Sequence, residues 1–287
     1  MNNVFYKNIL GVLLLSSNTL VFADECAKAQ DYFKDGISAG KQLNWTQARE
    51  FLAKSTALCN KFDNWYLFGQ VEQRLENYTA AASAFEDARK YAANNNQSAL
   101  AIARYAEVLS QQGQLTEPLS ILREARKLHS NPPEWMKDLS LALDNKRLKQ
   151  PLTVAQITRG LQGRAVKLLQ PDAKPSVNIT INFEYNSTKV TKDSAQNVDI
   201  LAQALETEMM GDHLVTIVGH SDKRGQDEYN LSLSEQRADS IASTLIKMNP
   251  KLKTRLITEG KGEYEPLYAG NSEDIYLLNR RIEVFLK

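Results

Sequence analysis

Apolar residues recur at helical spacing through the first half of the chain and alternate with polar residues in parts of the second half. Between residues 28 and 130 the helical pattern repeats. Three copies of a turn-to-helix signature begin at Asn44, Asn77 and Gln114, spaced 33 and 37 residues apart. Units of this length cannot bury their apolar stripes alone. The pattern therefore predicts a stack of antiparallel helix pairs.

Each copy places a large apolar and then a small residue at the same offsets after its turn: Leu52 and Ser55, Phe85 and Ala88, Leu122 and Ala125. A small residue also precedes each turn at an equivalent position: Gly36, Gly69 and Ala106. The middle copy, with Trp65 and Phe68, resembles the tetratricopeptide consensus. We expect an all-α tetratricopeptide-like solenoid over residues 24–149, with 133–149 as its capping helix.

The second half predicts an α/β domain over residues 176–287. Alternation from Val177 to Phe183 indicates a half-buried strand, and the apolar run 214–219 indicates a strand buried on both faces. A helix is expected around 194–209, and alternation at Ile282, Val284 and Leu286 indicates the last strand. The order βαβαββ predicts an α/β sandwich with helices on one side of a mixed sheet. Residues 152–157 are compatible with one short helix, but the glycines and prolines that follow break anything longer, so residues 150–175 are predicted to be a partly ordered linker.

The N-terminus has the features of an export signal. Lys7, the apolar run 9–15 and Ala23 predict a signal peptide over residues 1–23. Cys26 would then stand near the mature N-terminus, but Glu25 precedes it where lipid attachment requires a small residue, which disfavours a lipoprotein. Cys59 is the second of two cysteines, and antiparallel packing of the first two helices would bring both together. We therefore expect a Cys26–Cys59 disulfide.

Composition excludes several functions. A net charge of +1 gives no electrostatic basis for binding nucleic acid. The three histidines are scattered, no cysteine pair has zinc spacing, and no serine has a nucleophile-elbow context. We expect no metal, no cofactor and no enzymatic activity.

The pair Asp222 and Arg237 carries the clearest chemical signal. Asp222 follows a predicted strand in the run GHSDKRGQDEYNLSLSEQRA, and Arg237 lies in the next helix. Ser232 and Glu235 predict a capping box there, which would put Arg237 roughly one turn from the helix start and its unpaired N–H groups. A carboxylate and a guanidinium can together bind the ammonium and carboxylate of one zwitterionic ligand. The alternative is a salt bridge that joins loop to helix.

The same run closely resembles the C-terminal domain of the OmpA-like family, through GHSD, then Tyr229-Asn230, then the LSEQRA of residues 233–238. Residues 183–187 resemble the FxxNS segment of that family, and residues 279–284 resemble its NRRVE closing strand. The resemblance implies non-covalent binding of peptidoglycan through the diaminopimelate of its stem peptide. It assigns Asp222 to the ammonium and Arg237 to the carboxylate.

The resemblance also implies supporting roles for three residues. Asn186 and Asn230 would add hydrogen bonds, while Arg281 would either contact the ligand or form a structural ion pair. The resemblance implies a periplasmic adaptor that is associated with the cell wall, near the outer membrane. The repeats are expected to bind an unidentified protein partner. Two alternatives stay open: anchoring to the inner membrane by an uncleaved signal segment, and a scaffold whose OmpA-like domain no longer binds ligand.

Overall fold

The computed structural model describes residues 24–148, 152–169, 174–184 and 187–287. They form two compact units. Unit 1 contains the described residues up to Gln112 together with Lys127–Asn131, and unit 2 contains Gly113–Arg126 and the described residues from Pro132 to Lys287. The predicted signal peptide lies outside the described residues. No helix in the described ranges combines the length and the hydropathy that a membrane span requires.

Unit 1 is built from helices joined by short turns. They are α1 (24–41), α2 (Trp45–Leu58), α3 (Phe62–Arg74), α4 (Tyr78–Lys90) and α5 (Asn95–Gln111). Consecutive helices from α2 to α5 pack on one another. Their shared interiors are apolar and centre on small residues together with Leu52, Phe85 and Val71. The predicted all-α region is therefore present.

Equivalent positions of the repeats make equivalent contacts. A methyl group on Gly36 would lie 2.7 Å from the Cγ atom of Leu52, and one on Gly69 would lie 2.8 Å from the ring of Phe85. At both glycines the predicted small position thus meets the large position of the following helix. The turns repeat as well, because Leu43, Glu76 and Gly113, which immediately precede the three signatures, all have positive φ.

Cys26 and Cys59 form the disulfide that the sequence predicts, with their Cα atoms 4.9 Å apart. The bond joins the start of α1 to the residue that caps the end of α2. The hydroxyl of Ser55 also donates to the carbonyl of Ala29, so the same two helix ends are tied by a buried hydrogen bond.

Unit 2 begins with helices and continues into the sheet domain. Its helices are α6 (Thr116–Leu128, whose last two residues fall in unit 1), α7 (Glu134–Leu148), α8 (Val154–Gln162), α9 (Arg164–Leu169), α10 (Lys192–Leu205), α11 (Asp227–Met248) and α12 (Glu273–Asn279). Its strands are β1 (Ser176–Ile179), β2 (Val215–Gly219), β3 (Leu256–Gly260) and β4 (Ile282–Leu286).

The four strands form one mixed sheet in the order β1-β4-β2-β3. β4 is antiparallel to both of its neighbours, whereas β2 and β3 are parallel. The predicted succession βαβαββ is confirmed, with the short helix α12 added before the last strand. The predicted first strand is shorter than expected: the ladder ends at Ile179, and Phe183 forms only an isolated bridge with Val190.

One face of the sheet carries the apolar core. Side chains from β1, β2 and β4 pack there against α8, α10 and α11. Ile157 and Leu161 of α8 are fully buried in this core, and Thr153 caps the helix with a complete capping box. The structure thus differs from the predicted linker: residues 152–169 are largely helical because their apolar stripe is part of the domain core.

The opposite face of the sheet is buried and carries polar side chains. Asn178 of β1 is paired there with Glu283 of β4, and Val218 of β2 lies on the other side of Glu283. Arg123 of α6 donates to Glu283, and Arg147 of α7 donates to the carbonyl of Asn178. Helices therefore lie on both faces, not on one side as predicted. For the same reason α6 and α7, expected in the repeat domain, group mainly with unit 2 and not with unit 1.

Two glycines at the ends of parallel strands allow α11 to approach the sheet. A methyl group on Gly219 would lie 2.0 Å from the carbonyl oxygen of Ser234, and one on Gly260 would lie 2.7 Å from the backbone nitrogen of Glu235. Both contacts are to helix backbone, which cannot rotate away. The absence of side chains at these positions sets the distance between β2 and α11.

Candidate functional site

A cavity of about 680 Å³ lies where β2 ends beside α11, and it is lined by both Asp222 and Arg237. Asp222 follows β2 after His220 and Ser221, whose backbone N–H groups donate to the carbonyls of Arg281 and Gly262. These bonds continue the sheet and fix the start of the loop. The two residues that the sequence pairs are thus brought to one cavity.

Arg237 lies on the inner face of a helix that begins earlier than predicted. α11 starts at Asp227, with two acidic residues in its first turn, so Ser232 is inside the helix and caps nothing. Acidic residues stabilise a helix N-terminus, and no glycine or proline interrupts the segment. Arg237 is therefore ten residues, or about three turns, from the start. The prediction that Arg237 lies near the unpaired N–H groups of the first helical turn is therefore wrong.

The guanidinium of Arg237 stacks on an aromatic ring. Its central carbon lies 4.8 Å from the centroid of Phe183, and its Nε donates a long hydrogen bond of 3.4 Å to the carbonyl of Ser187. Burial lowers the pKa of Arg237, as does the charge of Arg280, while Asp222 opposes the shift. An arginine keeps its charge under such conditions. Arg237 thus presents a desolvated cation to the cavity.

The carboxylate of Asp222 is held by two arginines. Arg224 donates from its backbone N–H and Nε to Oδ1, at 3.0 and 2.9 Å, and from Nη2 to Oδ2 at 2.8 Å. Arg280 donates from Nη1 to Oδ2 at 2.6 Å. Burial acts to raise the pKa of Asp222, but these hydrogen bonds outweigh it and lower the pKa to about 2. The carboxylate is therefore ionised at any physiological pH.

Glu273 completes a closed network of four charges. Its two carboxylate oxygens accept from Nη1 of Arg224 and Nη2 of Arg280, at 3.0 and 2.9 Å. The guanidinium of Arg224 also lies 4.3 Å above the ring of Tyr276. Arg224, Arg280 and Glu273 were not predicted as site residues, although the GHSDKRG loop and the NRR triplet contain the two arginines.

Asn230 supports the loop from below. Its side-chain amide donates to the carbonyls of Asp222 and Arg224, at 3.3 and 3.1 Å, and to Glu263 at 2.6 Å. These bonds hold the shape of the loop that carries Asp222. Asn230 lines the cavity, so the structure gives it a positioning role beside the predicted ligand contact. Asn186 lies outside the described residues.

Of the two adjacent arginines before β4, Arg280 faces the carboxylate of Asp222. The side chain of Arg281 is only 4% exposed and bonds instead to Asn178, the carbonyls of Asn279 and Glu265, and, at 3.7 Å, Glu283. Burial lowers the pKa of Arg281 to about 10, so it remains a cation. These contacts favour the structural ion pair over the ligand contact for Arg281.

His220 lies at the floor of the cavity beside the same buried charges. Its Nε2 atom is 3.3 Å from Glu283, and burial lowers its pKa, so the ring is neutral at physiological pH. Among the described residues, no three metal-ligating side chains come together in a way that could hold an ion. The site can therefore offer charge recognition, because the carboxylate of Asp222 and the cation of Arg237 line the same cavity.

The comparisons agree with this architecture. The sequence profile of the OmpA family matches residues 182–276. The peptidoglycan-associated lipoprotein of Agrobacterium fabrum (strain C58 / ATCC 33970) is 30% identical over 57% of this chain and 92% of its own length. The protein of the same name from Buchnera aphidicola is 33% identical over 36% of this chain, and the chain spans only 57% of that relative.

Among solved structures, the peptidoglycan-associated lipoprotein of Burkholderia pseudomallei aligns over 41% of this chain and 97% of that one, with 25% identity and a TM-score of 0.33. The order of motifs, the profile match and the near-complete coverage of the Agrobacterium protein lead to one assignment. Through its C-terminal domain, the chain belongs to the OmpA family.

Proposed function

We propose that the protein is a non-catalytic periplasmic adaptor, which binds peptidoglycan through its OmpA-like domain and a protein partner through its helical repeats. The observation that carries the proposal is the single cavity lined by Asp222 and Arg237. Opposite charges in the lining of one cavity suit a ligand with both an ammonium and a carboxylate. The tip of a diaminopimelate side chain in the stem peptide is such a group.

Relatives support the same ligand class. The relatives from Agrobacterium and Buchnera bear names that associate them with peptidoglycan. A polymer that repeats one stem peptide retains a weakly binding protein by rebinding. On this proposal, wall association does not require high affinity at each site.

Co-sedimentation with purified sacculi tests the proposal. Asp222→Ala and Arg237→Ala each remove one charge-assisted contact, so affinity should fall about tenfold to hundredfold. Sacculi with lysine in the stem peptide should bind the wild type as weakly as diaminopimelate sacculi bind Arg237→Ala, because lysine lacks the second carboxylate.

Asp239→Ala and Lys247→Ala are matched controls, since both residues are exposed on the same helix α11. They should sediment like the wild type. Retention of all four variants at wild-type levels would remove the cavity as the wall-binding site.

Anchoring to the envelope is proposed to occur through the wall and not through a lipid. The relatives are named lipoproteins, but both cysteines of this chain are joined in one disulfide. Neither sulfur is then available for a thioether to lipid. Together with the predicted signal peptide, the disulfide supports a periplasmic location.

A second candidate is a scaffold whose OmpA-like domain binds no ligand. The observation that favours it is the carboxylate of Asp222, which already accepts hydrogen bonds from two arginines. Under this alternative the wild type and Asp222→Ala would show equally little binding to sacculi, and the function would lie in the repeats.

A further inference from the structure

The carboxylate of Asp222 has no vacant position for an ammonium. A carboxylate accepts roughly four hydrogen bonds, two on each oxygen. Oδ1 accepts from the backbone N–H and Nε of Arg224, and Oδ2 accepts from Nη2 of Arg224 and Nη1 of Arg280. A ligand that carries an ammonium can therefore reach Asp222 only by exchange with one of the two guanidinium groups.

Arg224 is the group better placed to leave. Its side chain is 51% exposed, against 28% for Arg280. It belongs to a loop next to Gly225, whose φ is +110°. Its guanidinium also has two other partners, the carboxylate of Glu273 and the ring of Tyr276. Arg224 can thus release Asp222 and keep a salt bridge and a stacking contact.

We infer that Arg224 is an internal competitor for the ligand: its guanidinium occupies the ammonium position at Asp222, and it leaves Asp222 while keeping its contacts with Glu273 and Tyr276 when an ammonium binds. The inference rests on the proposed function, and it assigns to Arg224 a specificity-determining role. It also explains why a carboxylate proposed to bind ligand accepts four hydrogen bonds from its own chain.

The exchange makes the cavity selective for zwitterions. A ligand with only carboxylates can approach Arg237 but has nothing to replace the guanidinium on Asp222. A ligand with only an ammonium displaces Arg224 without gaining the contact to Arg237. Diaminopimelate has both groups on one carbon, whereas pimelate, the same chain without amino groups, has only the carboxylates.

The test is titration of the full chain with meso-diaminopimelate and with pimelate, followed by NMR chemical shifts. Arg224→Gln should bind diaminopimelate about fivefold to tenfold more tightly than the wild type, because the exposed competing ion pair is gone. Pimelate should not gain. Arg224→Lys keeps the charge but loses the bidentate fork, so its affinity should fall between the two.

Lys223→Gln is the matched control. It removes the same charge from the neighbouring, exposed position of the same loop, and it should change the diaminopimelate affinity less than about twofold, as expected for a screened surface charge. Equal or weaker binding by Arg224→Gln than by Lys223→Gln would overturn the competition.

Asp222→Asn separates the two hypotheses. If it binds diaminopimelate as the wild type does, the proposed site fails. If it loses binding while Arg224→Gln shows no gain, the site stands and only the role of Arg224 is wrong.

Discussion

The two units bury different kinds of side chain in their interiors. In unit 1, glycines meet large apolar groups, as Gly69 meets Phe85, and most buried side chains are apolar, although Glu72 is buried and accepts a hydrogen bond from Arg49. In unit 2, one face of the sheet is equally apolar, but the other buries Arg281, Glu283 and Asn178 against one another. A contact between apolar groups depends on size alone, whereas a buried ion pair fails when either member is removed. The repeats should therefore be sensitive to volume, and the sheet domain to charge.

The largest effect is expected from Glu283→Leu, which leaves Arg281 buried without its carboxylate. The free energy of unfolding of unit 2 should fall by about 3–5 kcal/mol, as when one partner of a buried pair is deleted. Denaturant unfolding measures the loss, and amide hydrogen exchange in β4 assigns it to the sheet.

Glu259→Leu is the control for that substitution. Glu259 lies in β3 of the same sheet, its side chain is 42% exposed, and its contact with Lys261 is long, at 3.8 Å. The change should stay within about 0.5 kcal/mol, as for a surface site. Equal losses for the two variants would mean that leucine disturbs the sheet in general and that the buried charge is not special.

Gly69→Ala should produce the next largest effect. The new methyl group would lie 2.8–3.0 Å from three atoms of the Phe85 ring, which is fully buried and cannot move aside. Overpacking of this kind costs about 1–3 kcal/mol. Thermal unfolding followed by circular dichroism measures the loss.

Gly40→Ala makes the same chemical change in α1, where the nearest side-chain atom is 3.5 Å away. Alanine is the better helix residue, so this variant should gain about 0.5–1 kcal/mol. A loss of stability for Gly69→Ala with a gain for Gly40→Ala would support the sensitivity of unit 1 to side-chain volume. A gain of stability for both variants would contradict it.

The smallest expected effect is a loss of stability of unit 2 at acidic pH. The pKa of Asp222 is lowered to about 2, and that of Glu283 is lowered as well, despite burial, by His220, Arg123 and Arg281. Because the unfolded carboxyl groups titrate near pH 4, the stabilisation is complete above that pH and is lost as pH falls toward the folded pKa values.

For Asp222 the contribution should be about 1 kcal/mol after solvent screening. The difference in unfolding free energy between wild type and Asp222→Asn should be constant from pH 5 to pH 7 and shrink below about pH 4. A difference that grows in acid would contradict the assigned ionisation.

The repeat contacts could be predicted because both partners lie within one local helix pair. Gly36 with Leu52 and Gly69 with Phe85 follow from offsets in the sequence. The polar face of the sheet could not be predicted, since Arg123 and Glu283 are separated by 160 residues. Because the sequence does not reveal that contact, its pattern predicts that α6 is one more helix of the repeats.

The candidate site was predictable in its composition and less so in its geometry. Asp222 and Arg237 follow from the motif, but the helix start was misplaced, because a serine and a glutamate three residues apart also occur inside helices. Arg280 and Arg281 are neighbours in sequence, and only the pairing of β4 with β2 decides which one reaches Asp222.

Gly219 and Gly260 also determine how the shape of the cavity beside α11 can change between related sequences. Neither residue has a side chain, so α11 lies directly against the ends of β2 and β3, and the distance between the helix that carries Arg237 and the strand that precedes Asp222 depends on two missing methyl groups. An alanine at either position would push the helix away from the strand ends. Substitutions at these two positions would thus change the shape of the cavity, although neither glycine is among the residues that line it.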